Sequence, residues 1–508
     1  MATAISTEQP SNLPPMPCGF AALAESAWMG SAQGPELLET LHITRPRWRS
    51  PRLELGGLLT RELSIAEASF ILMASFFLSA LLGAVRQILF NAQFGVGPDA
   101  SAYYAAIRLP DTLFSLIAGG ALSSAMIPVL LSTVREEGER AAWRLTNLVL
   151  STLLAIFALV VLIGEFLAPA FVTHVLAPGF DAKTGQLTTG LTRVMLLQPV
   201  ILAVGSVATA VLNSRNQFVL TALSVASHNL GLIAGILASL LFPGLGIYGP
   251  TLGVVAGALL QVLILVPGLA GRHFHYSPAW DLGDRRLRQL IALLIPNGLA
   301  VGVGYGGFIV DTAFASKAPQ MAALPALHNA FLLVGLPIAL LGQAVGQSAF
   351  PRLAAFAAAE QWASMRRTLL RALASVLGLA VPGVLVLIVL GRPAIRILFE
   401  HGKFGGDSGT LTYQVLTVYA VALPAYVATE VLIRGLIALR DTRTPLFTNS
   451  FQLLGRGTIM ALLLSTRGVL AVPIAFAVMA TLETLALATV LLVRVQRRTG
   501  KAVRLESS

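Results

Sequence analysis

A chain of 508 residues that is 56% apolar and only 12% charged, with mean hydropathy +0.77, cannot present most of its surface to water, which excludes an ordinary soluble enzyme. Its formal charge of +11 comes from 35 Lys and Arg lying mostly between apolar stretches, a topology signal rather than a nucleic-acid surface. The single Cys18 excludes a disulfide framework and no Cys/His cluster has metal-site spacing, so neither metal nor other cofactor is expected.

Residues 1–63 are rich in Pro, Ser, Glu and Ala and lack both a sustained apolar run and signal-peptide order, which reads as a disordered cytoplasmic extension. Ser64-x-x-Glu67 then forms a capping box that marks the start of the first helix. Twelve apolar stretches follow, each long enough for a hydrocarbon core of about 30 Å. They run approximately over 65–94, 101–133, 142–167, 187–213, 218–242, 247–270, 287–315, 323–356, 369–391, 411–439, 445–466 and 469–495.

These stretches form two halves. Phe180, Leu187, Pro199 and Arg215 return as Phe404, Leu411, Pro424 and Arg440, and Gly119, Ala121 and Pro128 return as Gly342, Ala344 and Pro351, at spacings of 223 to 225 residues. Six spans per half give both halves one orientation, so the repeats are parallel and the seam between them is the place to seek a substrate. The expected fold is an all-α polytopic membrane protein with six-helix lobes at 64–272 and 285–496. A cytoplasmic linker at 273–284 and a basic cytoplasmic tail at 497–508 complete it. Placing both termini in the cytoplasm puts 24 of the 35 Lys and Arg on that side and seven on the other.

Two stretches are more specific. The first runs from Leu81-Leu-Gly-Ala-Val-Arg86-Gln through Phe94-Gly-Val-Gly-Pro98-Asp and Tyr103-Tyr-Ala-Ala-Ile-Arg108-Leu-Pro110 to Gly119-Gly-Ala-Leu-Ser-Ser-Ala-Met-Ile-Pro128. The second runs from Leu398-Phe-Glu-His-Gly-Lys-Phe404 through Tyr419-Ala-Val-Ala-Leu-Pro424 to Arg434-Gly-Leu-Ile-Ala-Leu-Arg-Asp441-Thr-Arg-Thr-Pro445. Together they resemble the MurJ/MviN lipid II flippases, of the multidrug/oligosaccharidyl-lipid/polysaccharide exporter superfamily, over essentially the whole chain from Ile65. The resemblance implies two six-helix lobes forming a V, with helices one, two, seven and eight lining its cavity. It also implies that an undecaprenyl-pyrophosphate-linked glycan crosses from the cytoplasmic to the outer leaflet of the bacterial inner membrane by alternating access, without covalent chemistry. The sequence departs from the family where Ala80, Phe114 and Leu332 stand at positions of family arginines, where the chain stops after twelve spans, and where the eleventh span has no Asp or Glu.

A charge at bilayer depth costs at least about 2.5 to 3.5 kcal/mol, so each needs a partner, a wet cavity or a route to the interface. Arg86 lies roughly 31 Å from the cytoplasmic start of helix one, as a snorkelling anchor or a wall that holds pyrophosphate. Arg108, roughly 14 Å into helix two, is placed on the cavity, with a kink at Pro110 aiming it inward; the competing account is a local pair with Asp111. Asn297, Gln343 and Gln347 complete the candidate substrate-binding set, with packing polarity the alternative for the two glutamines. Gly302, Gly304, Gly306 and Gly307 mark a hinge or close packing in helix seven. Arg434, close to the cytoplasmic interface, is expected to snorkel and pair with Glu430 one turn before it, and Arg456 is expected to form a structural ion pair with Glu483 at similar depth, with ligand contact as its second reading. His228 and Asn229 are read as interhelical hydrogen-bond partners.

Three functions compete: a flippase for lipid-linked glycans, probed by the arginines; a cation-coupled drug or metabolite exporter, for which Asp111 and Asp311 are the available carboxylates; and a scaffold without transport. The expected partners are the lipid-linked substrate, membrane lipids and proteins of cell-wall synthesis, with the chain acting as a monomer and binding no nucleic acid. Deleting residues 1–57 is expected to leave membrane abundance and transport unchanged, as read by immunoblot and complementation; loss of either would show that this segment contributes to the fold.

Overall fold

The computed structural model describes residues 65–117, 121–270, 274, 276–320 and 322–506; the N-terminal extension and Ser64 of the capping box lie outside them. The described residues are helical and turn-linked throughout, as a bilayer demands, because a helix satisfies its backbone groups within itself. In the first half the helices are α1 (Ile65–Phe94), α2 (Pro98–Ala106), α3 (Arg108–Ile117), α4 (Ala121–Glu137), α5 (Glu139–Phe171), α6 (Ala182–Met195), α7 (Leu197–Ser214), α8 (Phe218–Leu241) and α9 (Tyr248–Ala270). The second half holds α10 (Arg285–Ser316), α11 (Ala323–Pro337), α12 (Ala344–Ala358), α13 (Trp362–Leu398), α14 (Gly406–Ala438), α15 (Arg443–Arg467) and α16 (Ala471–Glu506).

Nine stretches among the described residues are long and apolar enough to cross a membrane, against the twelve expected. The eleventh and twelfth expected spans, α15 and α16, run together within one of them, Arg443–Arg498. A multi-pass membrane protein follows, and twelve stands as the sequence expectation. Large apolar side chains on the outer faces agree: Phe77 is 73% exposed and Phe166 76%.

Local chemistry sets the helix ends. Asp284 caps α10 by accepting from the backbone N–H of Arg286 (2.8 Å) and Leu287 (3.0 Å), and Asp181 does the same for α6. Asp441 accepts from the N–H groups of Arg443 (3.1 Å) and Thr444 (3.0 Å) and pairs with Arg494. Partial burial pushes its carboxyl up, but the Thr444 and Arg494 contacts outweigh this and hold it below the usual carboxylate range. Within the first half, α8 and α9 approach at backbone distance: a Cβ on Gly231 would lie 2.2 Å from Gly257 Cα, and one on Gly235 2.4 Å from Gly249 O. Small residues four apart permit such contact where lipid gives helices no hydrophobic drive to associate.

The halves meet at one end through a contact that obeys the duplication. In the second half, Gly402 (φ 57°) presses on the end of α1; a Cβ there would sit 2.2 Å from Ala92 O, which accepts from the Lys403 N–H at 2.8 Å. In the first half, Gly179 presses on the end of α10; its Cβ would be 2.4 Å from Ser316 O, and its N–H donates to Ser316 Oγ at 3.0 Å. Gly179 and Gly402 are 223 residues apart, the repeat spacing. Each half thus clasps the end of the other's first long helix. Gly402→Ala is expected to force the clasp apart, because the clashing atom is backbone. Spin labels at Gly97 and Gly405, where a Cβ meets nothing within 4 Å, would show a longer distance component; an unchanged distribution would mean that the clasp does not hold the seam.

Candidate functional site

Beneath the clasp, polar side chains gather where α1, α2 and α3 face α10 and α11. Gln87 and Asn91, one turn apart on α1, are buried, as is Asn329 of α11. Gln87 Nε2 lies 2.9 Å from Asn329 Oδ1 and 2.6 Å from the Tyr104 hydroxyl, and Asn91 Nδ2 donates to Asn329 Oδ1 at 3.0 Å. The ring of His328 stacks on Tyr104 at 4.3 Å. This amide cluster crosses the seam, and the sequence reading missed it. The available signal was a pair of amides four residues apart on an otherwise apolar helix, one face by helical geometry.

Next to it lies a cavity of about 160 Å3 lined by Arg86, Arg108, Asp111, Gln198, His228 and His328, among others. Arg86 and Arg108 are therefore brought together, as the sequence predicts, with Asp111 beside them. Arg86 Nη1 donates to Asn229 Oδ1 at 3.2 Å, and Asn229 is anchored by donating to Ser79 O at 3.2 Å. Asn229 is thus the interhelical partner expected of it, and it also orients Arg86. Arg108 follows a break at Ile107, which ends α2. Pro110 explains the break, since it has no N–H for the carbonyl of Ala106. The Arg108 guanidinium lies 5.2 Å from the centroid of Phe308 on α10, its Nε is buried with no hydrogen-bond partner, and it makes no ion pair within 4 Å among the described residues.

The remaining candidates sit elsewhere. Gln343 and Gln347 are exposed and not among the residues lining the cavity, although Gln343 ends a π-helical turn, Ile338–Gln343, that interrupts the α11–α12 rod. The side chain of Asn297 lies outside the described residues. Helix α10 is continuous past Gly302, Gly304, Gly306 and Gly307. A Cβ on Gly302 would meet Leu116 at 2.4 Å and one on Gly307 would meet Arg456 Nη1 at 2.9 Å, whereas Gly304 faces open space. Two of the four therefore serve close packing.

The expected Arg456–Glu483 pair is corrected. Arg456, 6% exposed, bonds Asp311 of α10, and Glu483 accepts instead from Thr448 Oγ1 at 3.2 Å. Matching depths along two adjacent helices fixes height but not azimuth; Arg456 faces α10, where Gly307 leaves room for the guanidinium one turn from Asp311. Phe476 stacks below it, 5.0 Å from the guanidinium carbon. Leucine at Asp311 alone or at Arg456 alone is expected to lose about 3 to 5 kcal/mol by stranding a buried charge, and the double replacement to recover most of it. Glu483→Gln should change thermal stability far less. Strictly additive losses for Asp311 and Arg456 in a melting assay would refute the pairing.

Comparisons with known proteins agree with this fold. The family described as Lipid II flippase MurJ matches residues 90–506. A Rhizobium tropici protein named probable lipid II flippase MurJ is 28% identical over 373 residues, covering 72% of this chain and 70% of its own. The lipid II flippase MurJ of Burkholderia cenocepacia is 28% identical over 385 residues, covering 72% of each. Among solved structures, lipid II flippase MurJ in its inward closed conformation superposes with a TM-score of 0.71 at 22% identity, over 83% of this chain and 87% of that one. An inward-facing multidrug resistance MATE family transporter of the MOP superfamily gives 0.70 at 12% identity, over 83% and 96%. By the extent of the family match, the chain belongs to the MurJ lipid II flippase family.

Proposed function

We infer that this chain flips lipid II across a bacterial inner membrane by alternating access, with Arg86 and Arg108 holding the pyrophosphate. Family membership supplies the substrate class. The observation that carries the residue assignment is Arg108, a guanidinium inside the bundle with an unpartnered Nε, beside Arg86 in one cavity. A pyrophosphate leaving water needs charge-assisted donors in place of its hydration, and a guanidinium fork matches phosphate oxygens.

At about 160 Å3, the cavity is smaller than the 300 Å3 or so that small-ligand sites occupy, so a glycan headgroup requires the halves to separate. The clasp and the amide cluster are among the contacts across the seam that this separation breaks. Bending of α10 at Gly302–Gly307 and participation of Asn297, Gln343 and Gln347 in an opened cavity belong to the same proposal, as do cytoplasmic termini by the positive-inside rule and a monomer acting beside cell-wall synthesis proteins. The exporter reading needs a carboxylate free on the path, whereas Asp311 is engaged by Arg456 and Asp111 shares its cavity with two guanidiniums, Arg86 and Arg108.

Complementation of a flippase-depleted bacterium tests the assignment at matched membrane abundance. Wild type should rescue, Arg86→Lys and Arg108→Lys should reduce outer-leaflet lipid II by about tenfold through loss of bidentate bonding, and each Ala variant should reduce it further. Full rescue by the double Ala variant would disprove the pyrophosphate role.

A further inference from the structure

A second composite space lies at the seam between α3–α5 and α10. At the helix ends near the linker, Ser132, Glu136 and Glu137 of α4 and Arg285, Arg286 and Gln289 of α10 line a polar pocket of about 550 Å3. An apolar groove of about 410 Å3 follows, walled by Leu116 of α3, Val149 and Leu153 of α5, and Leu290 and Leu294 of α10. The two linings occupy successive turns of the same helix faces: Leu145, Val149 and Leu153 on α5, and Arg286, Leu290 and Leu294 on α10, each four residues apart. From Leu287 to Gly298, the groove's extent along α10, the helix rises about 16 Å, roughly half a hydrocarbon core of about 30 Å. A charged pocket one helical turn from an apolar groove one leaflet deep has the outline of a single membrane lipid.

The pocket's charges select the headgroup. Arg286 bonds both Glu136 and Glu137, whose carboxylate side chains stay 64% and 55% exposed, so two acids share one cation and retain free acceptor oxygens. Arg285 is exposed and has no ion pair among the described residues. With Arg144, which pairs with Asp281, and Asp284, which caps α10, on the same lining, the walls thus offer acceptors for an ammonium beside guanidiniums for a phosphate. We propose that this site binds one zwitterionic phospholipid with a primary ammonium headgroup, its ammonium on Glu136 and Glu137, its phosphate on Arg285 and one acyl chain in the groove. Because α4 and α5 belong to the first half and α10 to the second, the bound lipid bridges the seam at the end opposite the glycine clasp. The site is separate from Arg86 and Arg108 and does not rest on the flippase reading.

The test incubates the purified full chain with an equimolar mixture of phosphatidylethanolamine, phosphatidylcholine and phosphatidylglycerol of identical acyl chains, and reads retained lipid by native mass spectrometry. The ethanolamine lipid should be retained about tenfold over the choline lipid, whose quaternary ammonium donates no hydrogen bond, and over the glycerol lipid, which has no cation. The surface double variant Glu136→Gln, Glu137→Gln should abolish that preference, and Leu294→Trp, which fills the groove, should lower retention of all three lipids. Equal retention by wild type, a preference for the anionic lipid, or an unaltered preference in the Gln pair would each overturn the proposal. Displacement of the ethanolamine lipid by equimolar undecaprenyl pyrophosphate would overturn it in favour of a substrate site.

Discussion

Everything polar inside this bundle answers one constraint: at bilayer depth no water is available, so a buried polar group must find its partner in protein. The constraint joins helices that the chain keeps far apart. Asn229 ties α8 to α1 through Ser79 and Arg86, Asn329 ties α11 to α1 through Gln87 and Asn91, and Arg456 ties α15 to α10 through Asp311. Arg108 is surrounded by an aromatic face and nearby carboxylates, with no direct ion pair within 4 Å among the described residues. The Nε atoms of Arg434 and Arg456 are likewise buried without a partner, so what sets Arg108 apart is the cavity it lines together with Arg86.

The duplication explains why the closed end is built as it is. A repeat related by an axis along the membrane normal brings the same loop of each half to the same helix end of the other, so one backbone solution serves twice. Gly179 and Gly402 are that solution, and the hydrogen bonds beside them differ: the Gly179 N–H donates to a serine hydroxyl at one site, and the Lys403 N–H to a backbone carbonyl at the other. The specificity of the arrangement resides in backbone approach, which is why glycine is required at both positions even though only Gly402 has a left-handed φ.

Much of this was legible in the sequence. Helix positions follow from apolar run length, the halves from the repeat, the break before Arg108 from Pro110, and the shared cavity of Arg86 and Arg108 from the family resemblance. The failures have a common physical origin. Linear spacing gives height along a helix but no azimuth against a neighbour, so Arg456 was assigned Glu483 when it faces Asp311. The glycines of α10 looked like a bend because small residues permit both bending and close approach; contact with Leu116 and Arg456 shows close approach at Gly302 and Gly307. The amide cluster escaped notice because isolated Asn and Gln residues in apolar helices carry no mark of which distant helix they will meet.

The chemistry of that cluster has an electrical consequence. Its members are neutral amides and a phenol, so parting them at the seam carries no net charge along the membrane normal. A transmembrane potential exerts about 2.3 kcal/mol per elementary charge per 100 mV, but only on charges that move. The contact that holds the halves together beneath the clasp is therefore voltage-silent, and any sensitivity of the cycle to membrane potential is left to the charged groups of the interior, Arg86, Arg108 and Asp111 among them.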